Sequence, residues 1–364
     1  MRILFFLPHS HEAPGCRYRV YQYIPYLEAQ GVQCELRALV DSDLYQIIYK
    51  PGHRLRKTAL FARRALGRIR DLHDAKQFDL LFVYREAFPI GPAFIESYLR
   101  TLGRPIVYDF DDALYLPRPG RLKNLIRNPE KTTTIIRLAD RVIVSNDHLR
   151  GLCAAYNRNV DVIPTSVDMD RFRPAESRPP NATLRIGWIG THSTARYLEL
   201  IQRPLQRLAQ CVDYELYVVG AGRDVTIPGV RVKNKAWSLQ DEVEDFQSLD
   251  IGLYPLDSDL WELGKAGFKA IQYMAVGIPF VTSPVGVTAQ IVKDGESGYL
   301  AGTEDQWFEK LRRLAEDGRE RERMGHAGRK AALASYSAAS NAGRLLESIR
   351  TAAASFTQGA GKDR

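Results

Sequence analysis

The sequence has few cysteines, and their spacing follows no recognisable motif. None forms a Cys-x-x-Cys pair or lies near a histidine cluster, so neither a disulfide framework nor a zinc site is indicated. This cysteine usage favours a reducing compartment, and we therefore expect a cytoplasmic protein. The four residues are Cys16, Cys34, Cys153 and Cys211.

Long apolar runs are also missing. No stretch reaches the roughly 18 residues that span a bilayer. The apolar run within Met1–Pro8 is shorter than the core of a signal peptide and stops at Pro8, so we predict a first buried strand there. With 364 residues, 45% hydrophobic and 26% charged, the chain is expected to form two soluble α/β domains of similar size.

Acidic residues are fewer than basic ones, and residues 53–70 contain none. The net charge of +8 favours an anionic partner. A basic amphipathic helix at 53–70 would lie on an anionic membrane surface, peripheral to its inner face; alternatively it docks on the core with its basic face in solvent. Nucleic-acid binding is not expected, because aromatic residues do not alternate with the basic ones. The apolar stripe consists of Leu55, Ala59, Ala62, Leu66 and Ile69.

Short apolar runs alternate with helical patterns along the chain, for example at 18–30 and 92–102, which is typical of βαβ units and parallel sheets. A Pro-rich passage at 173–181 interrupts the alternation, so we place a domain boundary there. The predicted divisions are 1–178, 179–335 and a C-terminal helix with a frayed tail at 336–364. Strands are expected at 3–7, 32–39, 80–84, 105–108, 141–145, 160–163, 184–189, 214–219, 230–232, 251–254, 280–282 and 299–300.

The segment 264–286 is the most informative part of the chain. Lys265 and Lys269 lie four residues apart near the predicted start of an apolar helix that Gly277 and Pro279 end. A helix N-terminus with fixed cations favours a diphosphate. The alternative is a plain α/β helix that the glycine and proline merely terminate.

This segment resembles the donor-binding signature of GT-B glycosyltransferases of the retaining family 4 type. The resemblance extends over nearly the whole chain, with further similar stretches at 162–168, 172–174, 324–329 and 336–337. It implies two Rossmann-like, doubly wound parallel-sheet domains that face a central cleft. It also implies a nucleotide-diphosphate sugar as donor, with no cofactor and no metal.

The resemblance assigns donor-side roles. Arg196, after the strand-turn Gly190–Thr191, and Lys269 or Lys265 would hold the diphosphate beside Gly267 and Phe268. Where the family has two glutamates, this chain has Gly264 and Gln272; Gln272 would contact ribose, and Glu262 is a candidate substitute near the sugar. Trp237 would stack on the base. Alternatively, Arg196 is a solvated surface charge and Trp237 a core residue.

Acceptor-side candidates follow the strands of the first domain. Asp109, Asp111 and Asp112 end a predicted buried strand, and Asp111 would orient or deprotonate the acceptor hydroxyl. Alternatives are that Asp109 or Asp112 caps the next helix, or that the pair binds a metal. Other acceptor-side candidates are Gly15, Arg17, Arg19 and Arg85.

The sequence therefore predicts a metal-independent, retaining glycosyltransferase. Its acceptor would be a sugar or a lipid-linked molecule, in cell-surface polysaccharide or glycolipid synthesis. Two alternatives stay open: a non-catalytic GT-B scaffold that supports a partner transferase, because the glutamate pair is missing, and a nucleotide-sugar epimerase, which would need no acceptor.

Overall fold

A computed structural model describes residues 1–48, 50–117, 128–176 and 181–360. The chain folds into two compact units. The first unit is Met1–Thr165 with Asn341–Arg364, and the second unit is Ser166–Ser340. Each unit is built on one parallel sheet with helices between the strands, which confirms the predicted α/β fold class.

The first unit has a six-stranded sheet. Its strands are β1 (Arg2–His9), β2 (Gln33–Val40), β3 (Leu80–Tyr84), β4 (Ile106–Phe110), β5 (Arg141–Val144) and β6 (Val160–Val162). They lie in the order β2-β1-β3-β4-β5-β6. β3 and β4 are buried at every position, as expected for parallel strands covered on both faces. This burial explains why these strands are continuous apolar runs in the sequence.

Helices connect these strands, because parallel neighbours require crossovers. The helices described in the first unit before residue 166 are α1 (Pro14–Arg19), α2 (Ile24–Ala29), α3 (Ser42–Ile48), α4 (Arg54–Asp74), α5 (Phe94–Thr101), α6 (Glu130–Leu138) and α7 (Asp147–Ala154). The single helix that we expected over residues 18–30 is wrong. It is divided into α1, a 3-10 turn and α2, since Val20 leaves helical geometry at φ −130° and Pro25, at the start of α2, lacks an N–H.

The second unit has its own six-stranded parallel sheet. Its strands are β7 (Leu184–Ile189), β8 (Tyr214–Val219), β9 (Arg231–Lys235), β10 (Ile251–Tyr254), β11 (Phe280–Thr282) and β12 (Tyr299–Leu300). Their order is β12-β11-β10-β7-β8-β9. All twelve predicted strands are therefore present, with ends displaced by a few residues at most.

Helices also separate the strands of the second unit. They are α8 (Gln202–Ala209), α9 (Glu242–Gln247), α10 (Leu260–Leu263), α11 (Phe268–Ala275), α12 (Thr288–Ile291), α13 (Glu304–Glu316) and α14 (Gly318–Ser335), followed by α15 (Ala338–Ala360). None of the helices in the described part of the chain combines the length and the apolar character that crossing a bilayer requires.

The compact units divide at 165/166, whereas the predicted boundary at 178/179 lies outside the described residues. The segment after residue 165 associates with the second unit. Val167 forms a β-bridge with Ser337, and Arg171 Nη2 donates to Glu242 Oε2 at 3.1 Å. These contacts explain why the division precedes the Pro-rich passage.

The C-terminal helix α15 belongs to the first unit from residue 341 onward. Arg344 Nη2 donates to the Val162 carbonyl at 2.6 Å, and Ser348 Oγ donates to Asp161 Oδ2 at 2.6 Å. These bonds attach α15 to β6. Residues 361–364 of the expected frayed tail lie outside the described residues.

Candidate active site

In the second unit, the strand order changes direction between β7 and β10. β7 pairs with β8 on one side and with β10 on the other, all in parallel. The loops that follow β7 and β10 therefore leave the same edge of the sheet side by side. Doubly wound sheets bind ligands at such a switch point. The predicted donor residues Gly190, Thr191, Arg196 and Lys265 all lie in these two loops or directly after them.

The turn after β7 is held by its own polar side chains. A Cβ added at Gly190 would lie 2.2 Å from the Trp188 ring, so only glycine fits there. Thr191 N donates to Thr194 Oγ1 at 3.2 Å, and that hydroxyl donates back to the Thr191 carbonyl at 3.1 Å. The helix that follows this turn, Ala195–Ile201, is a 3-10 helix. Hydroxyl groups that bond the local backbone in this way compete with α-helix formation.

Four side chains from the two loops form one connected group, which we call the switch cluster: Arg196, Tyr197, Glu262 and Lys265. Arg196 Nη2 donates to Tyr197 Oη at 3.1 Å, and Tyr197 Oη donates in turn to Glu262 Oε1. Lys265 Nζ lies 2.7 Å from the same Glu262 oxygen. Both cations also lie against the tyrosine ring, with Arg196 Cζ 5.0 Å and Lys265 Nζ 5.3 Å from its centroid.

Burial increases through the switch cluster. The Arg196 side chain is 62% exposed, that of Lys265 is 19% exposed, and that of Glu262 is fully buried. The hydrogen bond to Tyr197 raises the pKa of Arg196, and burial raises the pKa of Tyr197. Glu262 Oε2 has no hydrogen-bond partner among the described residues. The switch cluster thus offers an exposed guanidinium at its rim and a buried acceptor oxygen at its base.

The start of α11 depends on Gly267. Its φ is +64°, and an added Cβ would lie 2.7 Å from Ile291 Cδ1 and 2.8 Å from Val287 Cγ1. Both the backbone conformation and the available space therefore require glycine. Lys265 precedes this glycine and Lys269 is in the first turn, so the two lysines lie on either side of the helix start.

Lys269 interacts with residues outside the switch cluster. Its Nζ donates to Gln272 Oε1 at 3.2 Å and lies 5.5 Å from the centroid of the Phe246 ring. Gln272 is completely buried, and its Nε2 has no hydrogen-bond partner within the described ranges. Phe268, at the helix start, is half-buried. The structure thus groups the candidate lysines separately: Lys265 with Arg196, and Lys269 with Gln272.

Trp237 follows β9 and is half-buried, so part of the indole is exposed to solvent. A Cβ added at Gly220 would lie 3.2 Å from Trp237 Cβ, which places the indole beside the turn after β8. Close by, residues after β8 and at the end of β9 line a hollow that includes Gly222, Asn234 and Lys235. Trp237 is therefore at the carboxyl edge of the sheet, where a planar ligand group would stack.

In the first unit, the last residue of β3 and the residues that follow β3 and β4 form a second group. Tyr84 Oη donates to Asp111 Oδ1 at 2.9 Å, and Arg85 donates to the same oxygen through Nε at 2.9 Å and Nη2 at 2.8 Å. Arg85 Nη2 also donates to Asp112 Oδ2. Burial acts to raise the pKa of Asp111, but Arg85 and Arg19 outweigh it, and the pKa is lowered. Asp111 is thus held ionised.

The acceptor-side residue Arg85 adopts a left-handed backbone conformation, with φ +60°. Such a conformation is uncommon for a residue with a side chain and tends to occur at functional sites. Gly15 lies directly opposite: a Cβ there would be 2.5 Å from Tyr84 Oη. Glycine at this position therefore allows α1 to approach the Tyr84–Asp111 hydrogen bond.

Arg17 and Arg19, also predicted on the acceptor side, are buried and bonded within the unit. Arg17 Nη1 donates to the carbonyls of His11 at 3.2 Å and Glu12 at 3.0 Å. Arg19 forms a bidentate pair with Asp109, at 3.0 and 2.7 Å, and donates to the Ile163 carbonyl at 2.6 Å. In this arrangement, Arg19 and Asp109 form an ion pair inside the core rather than an exposed anion site.

Two tyrosines in these groups were not predicted from the sequence. Tyr197 connects Arg196 to Glu262, and Tyr84 connects β3 to Asp111. Each is adjacent in sequence to a candidate arginine, which is the signal that was available. In the sequence, however, both lie in apolar surroundings typical of core residues.

Metal and thiol chemistry receive no support from the residues described. Over these ranges, no three His, Cys, Asp or Glu side chains gather in a way that would hold a metal ion. The four cysteines are free thiols, and two of them, Cys16 and Cys153, are buried.

A match to a known protein family lies within the second unit. Residues 183–317 match the family described as "Glycosyl transferases group 1". A search of curated proteins gave no match.

Solved structures of glycosyltransferases share the fold over nearly the entire chain. Sucrose-phosphate synthase from Thermosynechococcus elongatus has 15% identity and a TM-score of 0.67, covering 97% of this chain and 99% of that one. Anabaena HepE in complex with UDP-glucose has 16% identity and a TM-score of 0.66, with 96% and 100% covered. A glycosyltransferase from Rickettsia africae has 12% identity and a TM-score of 0.69, with 96% and 98% covered. The fold is therefore GT-B, and residues 183–317 of this chain match a glycosyltransferase family.

Proposed function

We propose that this chain, which carries a group 1 glycosyltransferase domain in a GT-B fold, moves a sugar from a nucleotide-diphosphate donor to an acceptor hydroxyl. The observation that carries this proposal is the switch cluster. In it, the exposed guanidinium of Arg196 is linked through Tyr197 to the buried carboxylate of Glu262, at the switch point of the matched domain.

Arg196 would bind the donor diphosphate. A guanidinium forms paired hydrogen bonds with phosphate oxygens, and Tyr197 restricts its position before the donor arrives. Lys269, in the first turn of α11, would add a second cation together with the N-terminal end of that helix. As the bond to the sugar breaks, charge builds up on the leaving diphosphate, and these fixed cations would stabilise it without a metal. The complex of HepE with UDP-glucose supports a nucleotide sugar as the donor class.

Glu262 would bind the transferred sugar. Its Oε2 lacks a donor among the described residues, and a buried carboxylate oxygen without one is costly. A sugar hydroxyl would supply that hydrogen bond. This role would replace the contact that resembled enzymes make with the glutamate where this chain has Gly264.

Asp111 would orient the acceptor hydroxyl. Tyr84 and Arg85 both donate to its Oδ1, so Oδ2 is the oxygen that would receive the hydrogen bond of an acceptor. We expect transfer with retention of configuration to a sugar or lipid-linked acceptor, as the family 4 resemblance implies.

Calorimetric titration with UDP, GDP, ADP and dTDP tests the donor site. The wild type should bind one nucleotide selectively, and Arg196→Ala should weaken that binding about tenfold or more, which is about 1.4 kcal/mol. Arg203→Ala is the matched control, because Arg203 is also exposed in the second unit and ion-paired, 3.7 Å from Glu304. It should bind normally.

Three outcomes would contradict the proposal. A folded wild type that binds no nucleotide would favour the scaffold. Equal loss in both arginine variants would mean that general surface charge is responsible. Conversion of a nucleotide sugar without any acceptor would favour the epimerase.

A further inference from the structure

Helix α4 presents an apolar stripe to solvent. Leu55, Ala59, Ala62, Leu66 and Ile69 recur every three or four residues, which places them on one face of a helix. All five are exposed, and the large ones strongly so: Leu55 is 89%, Leu66 68% and Ile69 64% exposed. We call these five residues the outer stripe. The sequence left open whether they dock on the core; in the structure they do not.

Two arginines on the inward face of α4 bond the carbonyls of neighbouring strands. Arg68 is 1% exposed and donates to the carbonyls of Arg37 in β2 at 3.1 Å and Leu7 in β1 at 3.3 Å. Burial lowers the pKa of Arg68 to about 10. Arg64 donates to the Ala38 carbonyl in β2. On this face Leu60 and Phe61 also pack against the core of the first unit, so the core contacts of α4 are made without the outer stripe.

Positive charge borders the outer stripe along its length. Arg56, Arg63 and Arg70 each come one position after a stripe residue, so they lie beside the stripe on the helix surface. All three are exposed. Arg63 has an acidic neighbour, Asp41, whose Oδ2 is 3.3 Å away. Residues 53–70 themselves contain no acid, so the charge around the outer stripe is predominantly positive.

We propose that the outer stripe of α4 docks the protein on an anionic lipid bilayer. The leucine and isoleucine side chains enter the boundary of the acyl chains, while the bordering arginines meet lipid phosphates. Charge complementarity favours an anionic bilayer over a second copy of the chain as the partner of the outer stripe. A symmetric dimer through the same face would set arginines against arginines, because each copy contributes the same patch.

Vesicle flotation tests this proposal without any donor or acceptor, so its result does not depend on the proposed enzyme activity. The probes are vesicles of phosphatidylcholine alone and vesicles of equal parts phosphatidylcholine and phosphatidylglycerol. The wild type should bind the anionic vesicles at least tenfold more tightly, and added salt should weaken this binding. The combined variant Leu55→Gln/Leu66→Gln/Ile69→Gln should bind at least tenfold more weakly.

Two further variants sharpen the test. Arg56→Gln/Arg63→Gln/Arg70→Gln removes the bordering charge and should abolish the preference for anionic vesicles. Leu200→Gln/Leu333→Gln is the matched control, since these leucines of the second unit are also exposed, at 47% and 46%. This control should bind as the wild type does.

Several results would overturn the proposal. One is a wild type that does not bind anionic vesicles, and another is binding that survives in the outer-stripe variant. A wild type that dimerises without vesicles and becomes monomeric in that variant would assign the stripe to a second copy instead. Because the substituted side chains are exposed, circular dichroism should show unchanged folding.

Discussion

The buried ion pair between Arg19 and Asp109 leads to a prediction about stability. The free energy of unfolding that is lost on replacing Arg19 should change with pH in the opposite direction from that lost on replacing Asp109. The side chains of both residues are 1% exposed and are joined by two hydrogen bonds of 3.0 and 2.7 Å. Removing one partner of a buried pair leaves an uncompensated charge, which costs about 3–5 kcal/mol. Arg19→Met also removes the donor of the Ile163 carbonyl, which costs about 1 kcal/mol more.

The pH trend follows from which charge is left behind. Burial raises the pKa of Asp109 to about 6 although Arg19 opposes this shift, and the same pairing raises the pKa of Arg19. Without Arg19, the pKa of Asp109 should rise further. An acid with a raised folded-state pKa stabilises the fold at low pH and loses that contribution as pH rises. Arg19→Met should therefore be more destabilising at about pH 8 than at about pH 5, by about 1.4 kcal/mol for each additional pKa unit.

Asp109→Asn should behave differently. The guanidinium of Arg19 stays protonated between about pH 5 and pH 8, and the substitution removes the carboxyl group that titrates in the wild type. Its destabilisation should therefore not increase with pH. Opposite trends in the two variants are the signature of this pair.

Urea unfolding, followed by circular dichroism at both pH values, measures these differences. The control is Arg231→Met, because Arg231 forms an exposed pair with Asp213 at 2.6 Å. Exposed pairs contribute about 0–1 kcal/mol, so its effect should be small at either pH. If Arg19→Met lost the same free energy of unfolding at low and high pH, the reasoning about Asp109 would be refuted.

Three further predictions concern the site and its supports. Glu262→Gln should lower kcat/KM at least tenfold in a transfer assay, because a neutral amide accepts a weaker hydrogen bond from a sugar hydroxyl than a carboxylate does and no longer pairs with Lys265; unchanged kinetics would exclude the sugar-binding role. Gly31→Ala should lower the free energy of unfolding by about 1–2 kcal/mol, measured by thermal unfolding, because of its φ of +77° alone. Gly267→Ala should lower it by more, since the added Cβ also meets Ile291, and should weaken donor binding. Equal losses in the two variants would contradict the steric argument. Burial and nearby Arg85 lower the pKa of His9 to about 4, so stability should fall as pH decreases from about 6.5 towards 4, and His9→Gln should flatten this part of the profile.

Much of the fold was predictable because parallel strands buried on both faces must be apolar throughout. The runs at 80–84 and 251–254 were identified on this basis, and both are strands in the structure. Helices were predicted less well. The break at Val20 and the 3-10 helix at 195–201 depend on local backbone bonding, which apolar spacing does not encode.

The candidate site was predictable in its parts and not in its connections. Gly190, Arg196 and Lys265 were selected from spacing and from the resemblance, and the structure brings the latter two together. Their link, through Tyr197 and Glu262, joins loops that are distant in sequence.

The two βαβ alternations, the glycines at tight turns and the apolar stripe on residues 55–69 follow from the amino-acid order alone, since each is a local pattern of residue type and spacing. Whether the side chains of such a pattern point to the core or to solvent depends on packing between elements. The stripe points outward because Arg64 and Arg68 bond strand carbonyls on the other side of α4. Arg19 is buried because a carboxylate far along the chain, Asp109, compensates its charge. Orientation and charge compensation depend on partners from other elements, and sequence spacing does not specify those partners.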